Sequence, residues 1–334
     1  MTELDLLYIK PRGDGWAPIH ALAALTTRLL GARRVTVDDR GNVSYASKAG
    51  AYLPRRRGGA RSLLLLAPNP AHLAYATHMN PWLRRYDSIA AWVIDSFSTE
   101  WIGRFAQRRQ FDQIFITDRN LIDEWHDRTA SAIHWAPWGS DTLARPIGST
   151  ARTSDVLRLG RQPAAWSDDM LTARACEEEG IRFATVPRMT GDGVADYANV
   201  RQSLGSTRFV LAFSNLVSPG NYTHSTRDYV TARWVDGLAS GAVVAGRAPV
   251  IAGEMFWDGA TLEIDPWDRA AGVRALAEAV NSWTPAVAER NAALARERLD
   301  WRLRLRDIVT TCGWDVPGTL TEELGRLGGA MRHG

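Results

Sequence analysis

The sequence predicts an α/β protein of two domains, each built on a parallel sheet, and three observations carry that prediction. At 334 residues the chain is long for one core and suits two domains of about 150 residues. Short apolar runs alternate with helical segments, the pattern that makes a parallel sheet. The stretch RPIGSTARTSD at 145–155 is dense in Pro, Gly, Ser and Thr and reads as a linker. The domains are accordingly expected at 1–145 and 146–314, with 315–334 as a C-terminal tail.

In the first domain Leu4 to Ile9 is a buried strand, followed by the turn Pro11 to Gly15 and a helix through Ala17 to Leu30. Further strands are expected at Arg34 to Asp38, Ser62 to Ala67, Ser88 to Ile94, Gln113 to Thr117 and Ser131 to Ala136. Ligands of open parallel sheets collect at the carboxyl ends of the strands. That rule selects Asp14, His20 and Asp95 as candidate catalytic residues. Asp95 directly follows the run Ile89 to Ile94 and reads either as a general base on an acceptor hydroxyl or as an N-cap for a segment starting near Ser98. His20 sits in the first helix and reads as packed or catalytic, and Asp14 as a turn former or a site residue.

The second domain opens with a strand at Val156 to Gln162, then a helix from about Asp168 to Glu179 that Gly180 stops, then a strand at Ile181 to Val186. Its central stretch runs from Phe209 to Pro249. It reads as a strand at Phe209 to Phe213, a polar loop, a helix entered at Ser225 and a second strand at Ala242 to Ala245. Ser225 three residues before Asp228 forms a capping-box pattern, and Gly241 supplies the stop. A helix entered from such a loop offers free backbone N–H groups and a positive dipole end, which suits an anion. Arg233 and Asp236, three apart, share a face; a guanidinium suited to phosphate lies beside a carboxylate able to accept ribose hydroxyls. Tyr222, Thr223 and His224 lie just ahead and can line the same pocket. A last strand is expected at Thr261 to Ile264, then helices at Ala270 to Asn281 and Ala286 to Val309, the latter with Trp301, Leu305 and Ile308 on one stripe.

These residues carry a resemblance. The segment SNLV followed by DYVTARWVDGLASGAVVAGRAP is similar to the donor-binding element of GT-B glycosyltransferases, whose fold pairs two Rossmann-like domains with parallel sheets facing a central cleft. It resembles the fucosyltransferase pattern, a Phe-Glu-Asn-Ser strand end before Tyr-Val-Thr-Glu-Lys. Here Ser214 and Ala232 stand where that pattern has Glu, and Arg233 replaces its phosphate-binding Lys. It also resembles the Glu-x7-Glu pair of retaining glycosyltransferases, shortened here to Asp228 and Asp236. The segment His134 to Asp141 looks like the turn that closes the first domain in GT-B enzymes, and Gly160-Arg161 like the strand end whose Arg contacts the diphosphate. The resemblance implies donor-binding roles for Arg161, Thr231, Arg233 and Asp236, with Tyr222, Thr223, His224 and Ser225 around them, and a C-terminal segment from about 315 crossing back to the first domain.

Composition narrows the chemistry. The net charge of +3 is uneven: residues 1–148 hold 19 Lys and Arg against 14 Asp and Glu, whereas 149–334 hold 21 against 23. No basic stripe interleaved with aromatics points to nucleic acid. Lys10 and Lys48 are the only lysines, and neither completes a P-loop; the arginine bias is that of a GC-rich, bacterial type of genome. Gly13-Asp14-Gly15 lacks the third Gly of a dinucleotide fingerprint, no Asp-x-Asp pair is present, and His72 and His78 match no zinc spacing. Two cysteines, an acidic N-terminus and the absence of an apolar run of about 20 residues predict a cytoplasmic protein without a transmembrane segment. The expected function is metal-independent transfer of a sugar from a UDP- or GDP-type nucleotide sugar to a hydroxyl or amino group of a small-molecule or glycan acceptor, with no cofactor beyond the nucleotide-sugar co-substrate. The alternative is a GT-B-like nucleotide-sugar epimerase or a non-catalytic nucleotide-sugar-binding protein, which the Ser214 and Ala232 departures favour.

Overall fold

The computed structural model describes residues 3–11, 14–38, 49, 60–73, 83, 85–103, 106–107, 110–144, 152–186, 190–221 and 223–330. The chain divides into two compact units, 1–137 with 302–324, and 138–301 with 325–334. Arg55, Arg56, Arg57 and the linker core at 145–151 lie outside the described residues.

Unit 1 is a six-stranded parallel sheet of β1 (Glu3–Lys10), β2 (Arg33–Asp38), β3 (Arg61–Ala67), β4 (Tyr86–Val93), β5 (Gln113–Ile116) and β6 (Ala132–Trp135), in the order β2-β1-β3-β4-β5-β6. The register sets Leu7 between Val35 and Leu65. Leu6, Leu7, Ile9, Leu63, Leu65, Ile89 and Trp92 are fully buried, as expected of strands covered on both faces. At the amino edge Asp5 is also buried. Burial alone would raise its carboxyl, but Arg33, Tyr86 and Arg61 hold it below the usual carboxylate value. β2 and β3 lie on opposite sides of β1, so the strand order reverses there, the type of position where such sheets bind ligands.

The chain re-enters unit 1 at Arg302, and the helices Trp301–Thr311 and Gly318–Ala330 belong largely to it. Glu323 pairs with Arg28 and Arg302, Thr319 donates to the Leu29 carbonyl at 2.6 Å, and Trp314 Nε1 donates to Ser88 Oγ at 3.0 Å. Trp301, Leu305 and Ile308, the expected stripe, are fully buried.

Unit 2 is a five-stranded parallel sheet of β7 (Ser154–Arg158), β8 (Phe183–Thr185), β9 (Thr207–Leu211), β10 (Val243–Gly246) and β11 (Thr261–Glu263), in the order β11-β10-β9-β7-β8. Val156, Trp166, Phe209, Leu211, Phe213, Ala245 and Leu276 share its core. The order reverses at β7, which has β8 on one side and β9 on the other, so the carboxyl ends of β7 and β9 flank a second switch point.

Three sequence expectations need correction. The strand expected through Gln162 ends at Arg158, because Gly160 turns the chain with φ +78°. The single helix expected over Ala286 to Val309 is two, Pro285–Arg298 and Trp301–Thr311. The break is a backbone exchange: Ser140 N–H donates to Leu299 O at 2.8 Å, Trp301 N–H donates to Ser140 O at 3.0 Å, and the buried Asp300 carboxylate accepts from Thr142 N–H at 3.0 Å. These bonds replace helix bonds that an uninterrupted 3.6-residue pattern assumes. The third correction concerns the helix expected from Ser225. It begins instead at Ala232, after Thr231, and runs to Ala239 before Gly241 at φ +83°.

Candidate functional site

The local reason for the late helix start also builds the site. Asn215, buried just beyond β9, donates from Nδ2 to the carbonyls of His224 at 3.4 Å and Arg227 at 2.7 Å. His224 Nδ1 accepts from the backbone N–H of Thr226 at 3.2 Å and of Arg227 at 3.1 Å. Thr223 closes the preceding turn, its Oγ1 accepting from Gly220 N–H at 2.9 Å and donating to Gly220 O at 2.8 Å. Side chains satisfy the backbone here in a non-helical path, which outcompetes the capping box read at Ser225 and Asp228. Ser225 itself is exposed and caps nothing. Tyr222 lies outside the described residues.

Two arginines stand at the carboxyl edge of the second sheet, Arg161 just after β7 and Arg233 at the start of the Ala232–Ala239 helix. Arg161 Nε donates to Ser218 O at 3.0 Å, and its guanidinium lies against Gly220, where a Cβ would stand 3.1 Å from Nε. Arg233, second residue of the Ala232–Ala239 helix, donates from Nε to Thr231 Oγ1 at 3.1 Å and lies over Gly160. Thr231 is the N-cap residue, yet its hydroxyl makes no cap bond, so the amino end of this helix has no side-chain cap. Asp228 joins the group. Burial pushes its carboxyl above the usual value, while the Ser214 hydroxyl, the Tyr229 backbone N–H and the charge of Arg233 pull it back. Asn215 Oδ1 and Ser218 Oγ are buried without a hydrogen bond among the described residues. The result is a basic, amide-rich niche with one half-buried acid, at the switch point of the second sheet. Its chemistry suits a polyanion bearing hydroxyl groups.

Asp236, expected to hold a ribose, is placed differently. It is 3% exposed, and its carboxylate accepts from Ser140 Oγ at 2.6 Å and from Tyr197 OH at 3.1 and 3.2 Å. Its neighbour on the face, Arg233, points to Gly160, so the two side chains serve different surroundings. Tyr197 comes from the helix Gly193–Gly205, which the sequence reading missed; its signal was Asp192, whose carboxylate caps Val194 and Ala195 N–H at 3.0 and 3.2 Å.

In unit 1 Asp95 follows β4, with its backbone N–H bonded to Pro68 O at 2.8 Å beyond the end of β3. The capping reading is not realised: the next helical turn, Thr99–Trp101, starts from Ser98 and takes no bond from Asp95. Burial pushes the Asp95 carboxyl up to about 7, the range of a general base at neutral pH. His20 is bonded through Nδ1 to the buried Tyr8 hydroxyl, with the rings edge to face at 5.8 Å. Burial, then the charge of Lys10, lowers the His20 pKa, which favours neutral imidazole. Asp14 opens the single turn Asp14–Trp16, and its side chain lies outside the described part of the structure.

Among the described residues no group of three or more His, Cys, Asp or Glu could hold a metal ion, and no helix is long and apolar enough to cross a membrane.

No family model matches the sequence, and neither does any curated protein. Solved structures do match. HepE of Anabaena in complex with UDP superposes with a TM-score of 0.55 at 10% identity, covering 93% of this chain and 99% of that one. A sucrose-phosphate synthase from Thermosynechococcus elongatus gives 0.53 at 10% identity, over 92% and 98% of the two chains. The apo lipopolysaccharide outer core galactosyltransferase WaaB gives 0.52 at 11% identity, again over 92% and 98%. At such identities the likeness is one of fold.

Proposed function

On the GT-B fold that these likenesses show, we propose that the chain is a glycosyltransferase using a nucleoside diphosphate sugar. The observation that carries this is the placement of Arg233 over the Gly160 turn and of Arg161 against the Gly220 loop, both at the carboxyl edge of the second sheet. The two guanidiniums take the diphosphate, and the uncapped amino end of the Ala232–Ala239 helix adds its dipole. As the sugar leaves, charge grows on the diphosphate, and donors already aimed there stabilise it without reorganisation. Two cationic side chains supply that charge within the protein, so we read the transfer as metal-independent. Thr223 and His224 hold the loop that covers the donor, and Thr231 orients Arg233. Asp95 takes the proton from the acceptor hydroxyl or amine. UDP is the preferred nucleotide, supported by its presence in the HepE complexes. The free thiols Cys176 and Cys312 fit a reducing compartment, and we place the enzyme in the cytoplasm.

The second reading is a protein that binds the nucleotide sugar without transferring it, favoured by Ser214 and Ala232 where the similar pattern carries Glu. Incubating the purified protein with UDP-, GDP- and TDP-sugars, with and without simple acceptors, separates the two. Release of free nucleotide from one donor supports the transferase. Binding without release supports the second reading, and neither binding nor release contradicts both.

A further inference from the structure

Unit 2 has a concave feature on the edge of its sheet opposite the two arginines. The segment Phe256 to Gly259 precedes β11, so in this all-parallel sheet it lies at the amino edge, whereas the Arg161 and Arg233 niche lies at the carboxyl edge. Facing it is the helix Pro285–Arg298, on which Arg290, Leu294 and Arg298 recur every four residues and share one face. Phe256, Trp257 and Asp258 line one wall of an open groove of about 680 Å³, and Arg290, Ala293, Leu294 and Arg298 the other. That volume is in the range of small-molecule sites.

Trp257 is the fixed part. Its Nε1 donates to Asn291 Oδ1 at 2.8 Å, and Asn291, itself buried, donates to the Ala242 carbonyl at 3.1 Å. The polar edge of the indole is thus tied to the backbone just before β10, and the ring's remaining surface lines a groove while half exposed. Arg290 is the charged part. It lies beside the turn, a Cβ at Gly259 standing 3.7 Å from its Nη1, and it makes no ion pair or hydrogen bond among the described residues. Asp258 lines the same groove without pairing to it. A rigid aromatic face beside a guanidinium with available donors matches a ligand having a flat apolar face and an anionic group.

We propose that this groove is a second binding site, distinct from the donor niche, for an anionic saccharide. The pyranose face stacks on Trp257, and the carboxylate or phosphate is met by Arg290. This inference stands apart from the transferase reading, because it requires neither nucleotide binding nor turnover.

Calorimetric titrations with tetragalacturonate, glucose 6-phosphate, maltotetraose and inorganic phosphate test it. The proposal expects one of the two anionic sugars to bind, carboxylated or phosphorylated as the case is, and maltotetraose and inorganic phosphate to bind at least about tenfold more weakly. Arg290→Gln, on the exposed helix face, and Trp257→Ala should each weaken that binding by about tenfold or more. Should Trp257→Ala unfold, Arg290→Gln with Trp257→Phe decides, since Phe keeps the stacking face and should retain binding. No binding by either anionic sugar overturns the site. So does binding that survives Arg290→Gln, or inorganic phosphate binding as tightly as the sugar, which would mean charge alone.

Discussion

Arg233 lies over Gly160: a Cβ built on Gly160 would overlap Arg233 Nη1, and Gly160 already sits at φ +78°. The strand end after β7 thus leaves room for the cation from the helix before β10, at the switch point of the sheet.

Gly160→Ala should therefore displace Arg233 while leaving the core of unit 2 intact. The left-handed conformation costs an L-residue about 1–2 kcal/mol, a modest loss of stability. Nucleotide affinity should fall by about tenfold or more, because charge-assisted bonds to phosphate depend on position. Thermal unfolding and calorimetry on one sample measure both. A variant with a lowered melting temperature and unchanged nucleotide affinity would detach Arg233 from the donor.

Asp95→Asn should lower turnover by about 10²–10⁴-fold with nucleotide affinity close to wild type. With the carboxyl pushed up to about 7, the wild-type rate should climb with pH and level off above that value, and the Asn variant should lack this limb. Stability follows the same group. The folded value is above the ordinary 3.8, so the folded protein holds a proton that the unfolded chain releases, and stability falls as pH rises between the two. The melting temperature of Asp95→Asn relative to wild type should accordingly be more favourable at pH 8 than at pH 5. A relative melting temperature independent of pH would contradict the raised value.

Much of this architecture was legible in the sequence, for physical reasons that also set the limits. Strands such as Leu63 to Leu66 and Ile89 to Val93 are buried on both faces and so appear as unbroken apolar runs. Arg161 was singled out by the resemblance of Gly160-Arg161 to a strand end, and Arg233 by sharing a helix face with Asp236; that Arg233 stands in the first turn of its helix was not legible, because the helix begins only at Ala232. The helix start at Ser225 was misread because Asn215 and His224, bonding backbone groups up to twelve residues away, override a four-residue pattern. The helix Gly193–Gly205 was missed because Tyr197 and Leu204 are its only large buried apolar side chains, too few to mark a period. The surroundings of Asp236 were not legible at all: its partners Ser140 and Tyr197 lie 96 and 39 residues upstream.

Those partners make a prediction for Asp236. Replacing it by Ala removes the acceptor of the buried Tyr197 and Ser140 hydroxyls, and stability should fall by about 1–3 kcal/mol for each donor left unmet. UDP and 2′-deoxy-UDP should then lose affinity equally. A loss confined to the ribonucleotide would return Asp236 to the ribose.

The central claim is that Arg161 and Arg233 together hold a nucleoside diphosphate at the carboxyl edge of the second sheet, and titration of UDP into wild type, Arg161→Ala and Arg233→Ala by calorimetry tests it most directly. The account predicts measurable UDP binding to the wild type and a loss of about 1.5–3 kcal/mol in each variant, with melting temperatures of the unliganded proteins little changed. Wild-type protein that binds no nucleoside diphosphate, or variants that bind it as the wild type does, would contradict it.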